Sequence, residues 1–453
     1  MNGTVRHGRD HSISWHADTE VALGPVIFDA NGIRIAVDAA SPADVVDLAA
    51  RDYSALRAAA ALFTDPRVIM TIAEAADGTR TRDPGPMLGP DLTRVATVSC
   101  VDAIHLGDVD AGVLLVDQAM ARMSSGDPGA GAYLGLAAAV PDRIADEIDA
   151  ADYRGPLVER ILDVVARAPR MLTESERTGI LQALDRRADA DDLQWQEFLT
   201  DVTTELGPAL AVDLGSAGTA STYLADLRPL PPRLLRFAGP DEPEVTVQVL
   251  DETTVTVTAE LRPDVDSDTD EVAGIFAVAA DAARGDLLAF GPTTVTDGQL
   301  RATIRLPDLD PATARYAFIG SDIDIDAVRL DPLGLSLTRI DRYCAYAWSQ
   351  HRLAGALRAS VGASADEATI RRAQDAAETA SERASDAIRT ARGLTRSLVR
   401  RHRSSPRAAA VSEYVAAVGR LGDRLAEPPA IDGPTGPTIA ELHAVALSRG
   451  SSL

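Results

Sequence analysis

The apolar residues of this chain change period twice, and that change limits the folds open to it. From about residue 107 to 207 they recur at steps of three and four, as they do along helices. Past residue 240 they alternate instead: Val245, Val247 and Val249 share one face, and so do Val255, Val257, Ala259 and Leu261. Beyond 334 the steps of three and four return. A helix period and a strand period cannot be satisfied by one element. The expected fold is therefore α+β and multidomain. It comprises an α-rich N-terminal domain with a small β element, a central immunoglobulin-like antiparallel β-sandwich, and a C-terminal helical hairpin or bundle. A length of 453 residues suits such a division into about three domains.

The expected boundaries are a flexible tail over 1–20, an acidic α-rich domain over 21–230, the sandwich over 236–333 and a basic helical domain over 334–453. "RPLPPR" (Arg228–Arg233) reads as a stiff proline-rich linker between the first two domains. In the first, Asn31-Gly32 supplies the turn of a hairpin. Ser41 and Pro42 read as the start of a helix reaching about Leu62, and "RVATVSCVDAIHL" reads as a strand. Helices follow, one opened by the capping box Thr173–Glu176 and the last stopped at Gly207-Pro208.

The last third has the strongest single pattern. Ile370, Ala373, Ala377, Ala380, Ala384, Ala387, Ala391, Leu394 and Leu398 hold a heptad, predicting one helix over 365–403, about 58 Å long, opened by the capping box Ser364–Glu367. Ser405-Pro406 is expected to cap a partner helix carrying Val411, Tyr414, Val418, Leu421 and Leu425. Alanine buries little area but permits close approach, so an antiparallel hairpin is expected.

The chain contains no lysine and only two asparagines. A GC-rich genome of actinobacterial type accounts for this; selection against lysine beside a lysine-modifying system is the alternative. Either way, Walker-A, kinase, aldimine and Schiff-base lysines are excluded. The formal net charge is -24, but it is uneven: 1–235 carry -16, 236–333 carry -13 and 334–453 carry +5. Arg383, Arg389, Arg392, Arg396, Arg400, Arg401 and Arg403 crowd the end of the long helix. The helix dipole favours cations there, and the rest are expected to pair with acidic groups of this chain or of a protein partner. Tyr343, Tyr346, Trp348 and His351 fall within nine residues of the preceding helix, in a chain with 3 Trp, 8 Tyr and 7 Phe. They form either a contact surface or a seal between that helix and the sandwich.

Other motifs carry little chemistry. "DVDSDTDE" (Asp264, Asp266, Asp268, Asp270, Glu271) begins like a calcium loop but has Thr269 and Ile275 where glycine and glutamate are needed. Asp322, Asp324 and Asp326 alternate along "SDIDID", and His7, His11 and His16 lie in the tail without metal-site spacing. The glycines of "GDPGAGAYLG" are misspaced for a dinucleotide fold, and "DLGSAG" lacks a nucleophile elbow. Arg284–Asp286 reads as a hairpin turn. No catalytic group, metal or cofactor is expected. Nor is a membrane span or secretory signal, and two distant cysteines, Cys100 and Cys344, suit the cytoplasm. The function these features favour is a non-enzymatic adaptor or regulatory subunit in a bacterial assembly serving stress, defence or protein modification. An enzyme whose acids, such as Glu174 or Asp322, meet only in space is one alternative, and an arginine-mediated nucleic-acid binder is the other.

Overall fold

Two turns with paired positive φ angles anchor the two β regions. Asn31-Gly32 (φ 50 and 78°) closes a hairpin near the N-terminus, and Asp297-Gly298 (φ 51 and 71°) closes another in the centre. The computed structural model describes residues 2–127, 130 and 221–450, apart from Asp83, Asp108, Pro231, Ala238, Asp264, Asp266 and residues 307–310, 321–328 and 362–366. The expected helices within 131–207, the "DLGSAG" segment, "SDIDID" and Ser364 lie outside the described residues.

The first hairpin belongs to a six-stranded antiparallel sheet. Its strands are β1 (Gly3–His7), β2 (Ile13–Ala17), β3 (Pro25–Ala30), β4 (Ile33–Asp38), β5 (Ser41–Ala50) and β6 (Arg80–Thr81), in the order β3-β4-β5-β2-β1-β6. Residues 1–20 are thus not a tail. Val5, Ile13 and Trp15 alternate with polar neighbours and are buried on the core face. Trp15 lies against Gly3, where any Cβ would collide with the indole. Nor does Ser41-Pro42 open a helix. The segment pairs with β4 on one side and β2 on the other, with an irregular register opposite Ala36–Asp38, near which the proline sits. Pairing on both sides outweighs its local helix signals.

Four helices follow: α1 (Tyr53–Ala59), α2 (Pro66–Glu74), α3 (Pro90–Ile104) and α4 (Ala111–Ser124). The expected strand around Cys100 is therefore a helix. Pro90 starts α3 at its first turn, and Leu92, Val95, Ala96, Val98, Cys100 and Val101 are buried around most of its circumference. A helix buried on nearly all sides shows no polar stripe, so its β-branched residues imitate a strand.

The central region forms two antiparallel sheets. One has the order β12-β13-β9-β8-β7 and the other β11-β10-β14. The strands are β7 (Ser221–Tyr223), β8 (Val245–Val249), β9 (Thr254–Glu260), β10 (Ile275–Asp281), β11 (Leu287–Pro292), β12 (Thr294–Thr296), β13 (Gln299–Arg305) and β14 (Ala314–Gly320). Val247, Val257, Leu300 and Ile304 of the first sheet share one core with Ile275, Ala277, Ala279 and Phe318 of the second. Between β9 and β10 a single turn, α5 (Asp270–Ala273), is capped by the Thr269 hydroxyl, so the end of the acidic motif starts a helix. Leu230, Pro232 and Leu234 are buried, so "RPLPPR" packs onto the structure rather than running through solvent.

The C-terminal helices are α6 (Pro332–Ala359), α7 (Glu367–His402), α8 (Ala408–Leu425) and α9 (Ile439–Gly450). The alanine stripe of α7 faces inward, with Ala373, Ala377, Ala380, Ala384, Ala387 and Ala391 all buried. Its partners are α6 and α8. Arg407, without a side-chain cap, takes the N-cap place expected for Ser405. These helices do not form a separate core. Ile340 and Trp348 of α6, Ala380 of α7, Val418 of α8 and Ile439 of α9 join Ile35, Leu48, Val95 and Val113 in one buried cluster. The described N-terminal residues and the C-terminal helices therefore close around each other, and the paired sheets carry their own core. Arginines join the two: Arg262 donates to the carbonyls of Gly107 (2.8 Å) and Val109 (2.9 Å), and Arg233 pairs with Asp102 (2.5 Å) and Glu271 (2.6 Å).

Candidate protein-binding surface

No acidic residue occurs from 387 to 412, a stretch covering the last four turns of α7 and the start of α8. Arg400 and Arg401 lie in the last turn, where the carbonyl end of the helix favours cations. The arginines of this end differ in their partners. Arg392 donates to the Gly419 carbonyl and to Asp423 (2.7 Å each), fixing α7 to α8. Arg389 pairs with exposed Asp386 one turn back (2.7 Å), and Arg407 reaches Asp331 (2.6 Å). Arg400 donates to the Ser397 hydroxyl (3.2 Å) and meets no carboxylate among the described residues. Arg383, Arg396, Arg401 and Arg403 are exposed and meet no carboxylate among the described residues. The concentrated positive charge is therefore largely unneutralised and open to solvent.

The aromatic group on α6 is placed differently. Trp348 is 3 % exposed; its indole N–H donates to the Ala39 carbonyl (3.0 Å) and its ring meets His105 edge-on at 6.2 Å. Tyr343 donates to Asp241, and Tyr346 is half-buried against the main core. Burial, with Arg352 and Arg358 nearby, lowers the His351 pKa to about 4. The set seals α6 against the β4–β5 turn and against the segment preceding β8, not against the face of the paired sheets.

Beside Trp348 lies a cavity of ≈ 270 Å³ lined by Ser41, Pro42, His351, Arg352, Arg424 and Pro429 among others. Arg352, on its wall, belongs to a buried ion network. Arg352 grips Glu441 with both arms of its fork (2.8 and 2.6 Å) and also donates to the Thr435 and Gly436 carbonyls. Glu441 also accepts from the Thr438 backbone N–H (2.7 Å), completing a capping box at the start of α9. Asp117 accepts from the Ala440 N–H (2.9 Å), while Arg94 holds the Gly436 and Pro437 carbonyls. Burial alone would raise the Glu441 pKa, but Arg352 and the hydrogen bonds hold it down at about 2. Burial keeps neighbouring His105 neutral, at about 4. Sequence reasoning missed this site, although Thr438 and Glu441 stand at capping-box spacing.

A second buried carboxylate, Asp341, accepts from Tyr414 and pairs with Arg329 (2.5 Å each). Its pKa rises to about 6, because burial outweighs Arg329 and the Tyr414 hydrogen bond, and nearby Asp226 adds to the rise. A carboxyl raised in the folded state adds stability that is complete below its ordinary value and lost as pH rises through about 6. Between pH 5 and 7 the stability of the parent relative to Asp341→Asn should fall by on the order of 1 kcal/mol. Urea denaturation at the two pH values measures it, and a constant difference would contradict the assignment.

Ser14, His16 and Asp47 line up on the solvent face of the first sheet. His16 Nε2 is 3.1 Å from the Ser14 hydroxyl and His16 Nδ1 is 2.6 Å from Asp47. Those are the contacts of a nucleophilic triad, but the N–H groups of β2 are engaged in ladders with β1 and β5, leaving none in that strand to stabilise an oxyanion. The His and Asp side chains are 46 % and 40 % exposed, so solvent screens their contact. His7 contacts the Ala75 carbonyl instead, and among the described residues no group of three His, Cys, Asp or Glu is placed to hold a metal. No described helix is long and apolar enough to cross a membrane. Comparison with protein-family models, with curated proteins and with solved structures finds no match to this chain.

Proposed function

We propose that this chain is a non-enzymatic adaptor or regulatory subunit that binds a protein partner through the arginine-bearing end of the α7–α8 hairpin. One observation carries the reading: in a chain of net charge -24, the longest acid-free stretch, 387–412, bears Arg396, Arg400, Arg401 and Arg403, which are exposed and meet no carboxylate among the described residues. Elsewhere buried arginines are engaged in holding the fold, as Arg262, Arg342 and Arg352 show. An acidic protein surface is the complement, since a guanidinium takes a carboxylate with two hydrogen bonds. Nucleic acid is the weaker reading. The net charge of the chain repels phosphate, and α7 carries no phenylalanine, tyrosine or tryptophan on which a base would stack.

The remaining parts of the reading follow the same line. The two antiparallel sheets over one core support an immunoglobulin-like module, with domain boundaries near 230 and 334. A cytoplasmic, bacterial assembly is the proposed setting. The test is capture from the native host with the parent and with a variant carrying Arg396→Gln, Arg400→Gln, Arg401→Gln and Arg403→Gln, followed by reconstitution with the purified partner. Loss of that partner from the variant, without acquired or lost nucleic-acid binding, is expected. Salt-sensitive binding of random nucleic acid by the parent that disappears in the variant would reverse the reading.

A further inference from the structure

Arg389, Arg392, Arg396, Arg400 and Arg403 follow one another at steps of three, four, four and three. At 100° per residue, the four on α7, Arg389, Arg392, Arg396 and Arg400, fall within an arc of about 80° and extend over about 17 Å, and Arg403 follows in the turn just after the helix. Arg383 and Arg401 lie on the opposite side. The stripe is centred roughly 140° round the helix from the buried alanine seam, and Arg392, at its edge nearer the seam, is tied to α8. Arg396 and Arg400 hold positions i and i+4 of α7, Arg403 stands in the turn that follows, and none of the three has a carboxylate against it among the described residues.

Resting on the reading of this end as a protein-binding surface, we propose that the stripe recognises an acidic amphipathic helix of the partner, whose carboxylates recur at steps of three and four along one face. The spacing selects a helix. Along α7 the guanidinium-bearing positions from Arg389 to Arg400 advance by about 4.5, about 6 and about 6 Å. A second helix with the same steps matches that uneven rhythm over the whole stripe. An extended acidic strand presents same-face carboxylates at an even spacing of about 6.7 Å and drifts out of register. Single exposed pairs contribute little, so recognition depends on the set acting together in register.

The experiment uses the full chain and two synthetic helical peptides of about 20 residues, long enough to hold helix in isolation. One carries glutamates at the steps of the stripe, and the other has the same composition with its glutamates distributed around the helix. Fluorescence anisotropy is expected to show the patterned peptide binding about tenfold more tightly. Arg396→Gln, Arg400→Gln and Arg403→Gln together should abolish that preference, while Arg383→Gln with Arg401→Gln should leave it intact. A thermal melt of each variant confirms that it is folded. Equal binding of both peptides would overturn the helix proposal yet leave the adaptor reading standing, because capture of the native partner is a separate measurement. Preference for a DNA duplex over either peptide, lost in the triple variant, would overturn both.

Discussion

Replacing Arg342 by glutamine is expected to destabilise the protein by about 3–5 kcal/mol, the range for removing one partner of a buried ion pair. Its guanidinium is fully buried and grips both oxygens of Glu244 (2.7 and 2.5 Å). It also donates to the carbonyls of Pro240 (3.1 Å), Gly239 (2.9 Å), Glu242 (2.8 Å) and Ala225 (3.3 Å), and it lies 4.3 Å from the centre of the Phe237 ring. Glutamine offers two donors for six contacts. Glu244 would be left buried without its cation, and several carbonyls without a donor. Replacing Glu244 as well should not restore stability, since those carbonyls remain unsatisfied. Urea denaturation measures the loss, and an unchanged midpoint would show that the clasp contributes nothing.

A loss of about 2–5 kcal/mol is expected for Ala380→Glu, and a similar one for Ala384→Glu. Both alanines are 3 % exposed in the seam that α7 forms with its neighbours. A glutamate there would force the helices apart and bury a carboxylate with no cation placed for it. Thr379→Glu, on the exposed side of the same helix, is the control and should stay within about 0.5 kcal/mol of the parent. Equal melting of all three variants would mean that the stripe is not a packing seam.

The elements legible in the sequence were those whose burial is written as a regular period. The α7 stripe and the strands from Val245 onward show a single period over enough residues to be read alone. Elements set by distant neighbours were misread. β5 is a strand because β2 and β4 flank it, and α3 resembles a strand because its surroundings bury it on nearly every side. For β1 and β2 a signal was present: Val5, Ile13 and Trp15 alternate among polar residues, in runs too short to stand out from a histidine-rich tail. Buried arginine clasps leave still less trace. Arg342 takes its acceptors from backbone carbonyls about a hundred residues away, and no composition or spacing encodes a carbonyl.

The arginines divide into a buried set that holds the structure together and an exposed set at the end of α7 that does not. The thermal melting temperature of the folded protein carrying Arg396→Gln, Arg400→Gln, Arg401→Gln and Arg403→Gln separates these roles most directly. A melting temperature equal to that of the parent is predicted, because none of the four contacts a carboxylate among the described residues and exposed charges contribute little to stability. A fall comparable to that of Arg342→Gln would place the cluster among the fold's own supports and contradict its assignment to a partner.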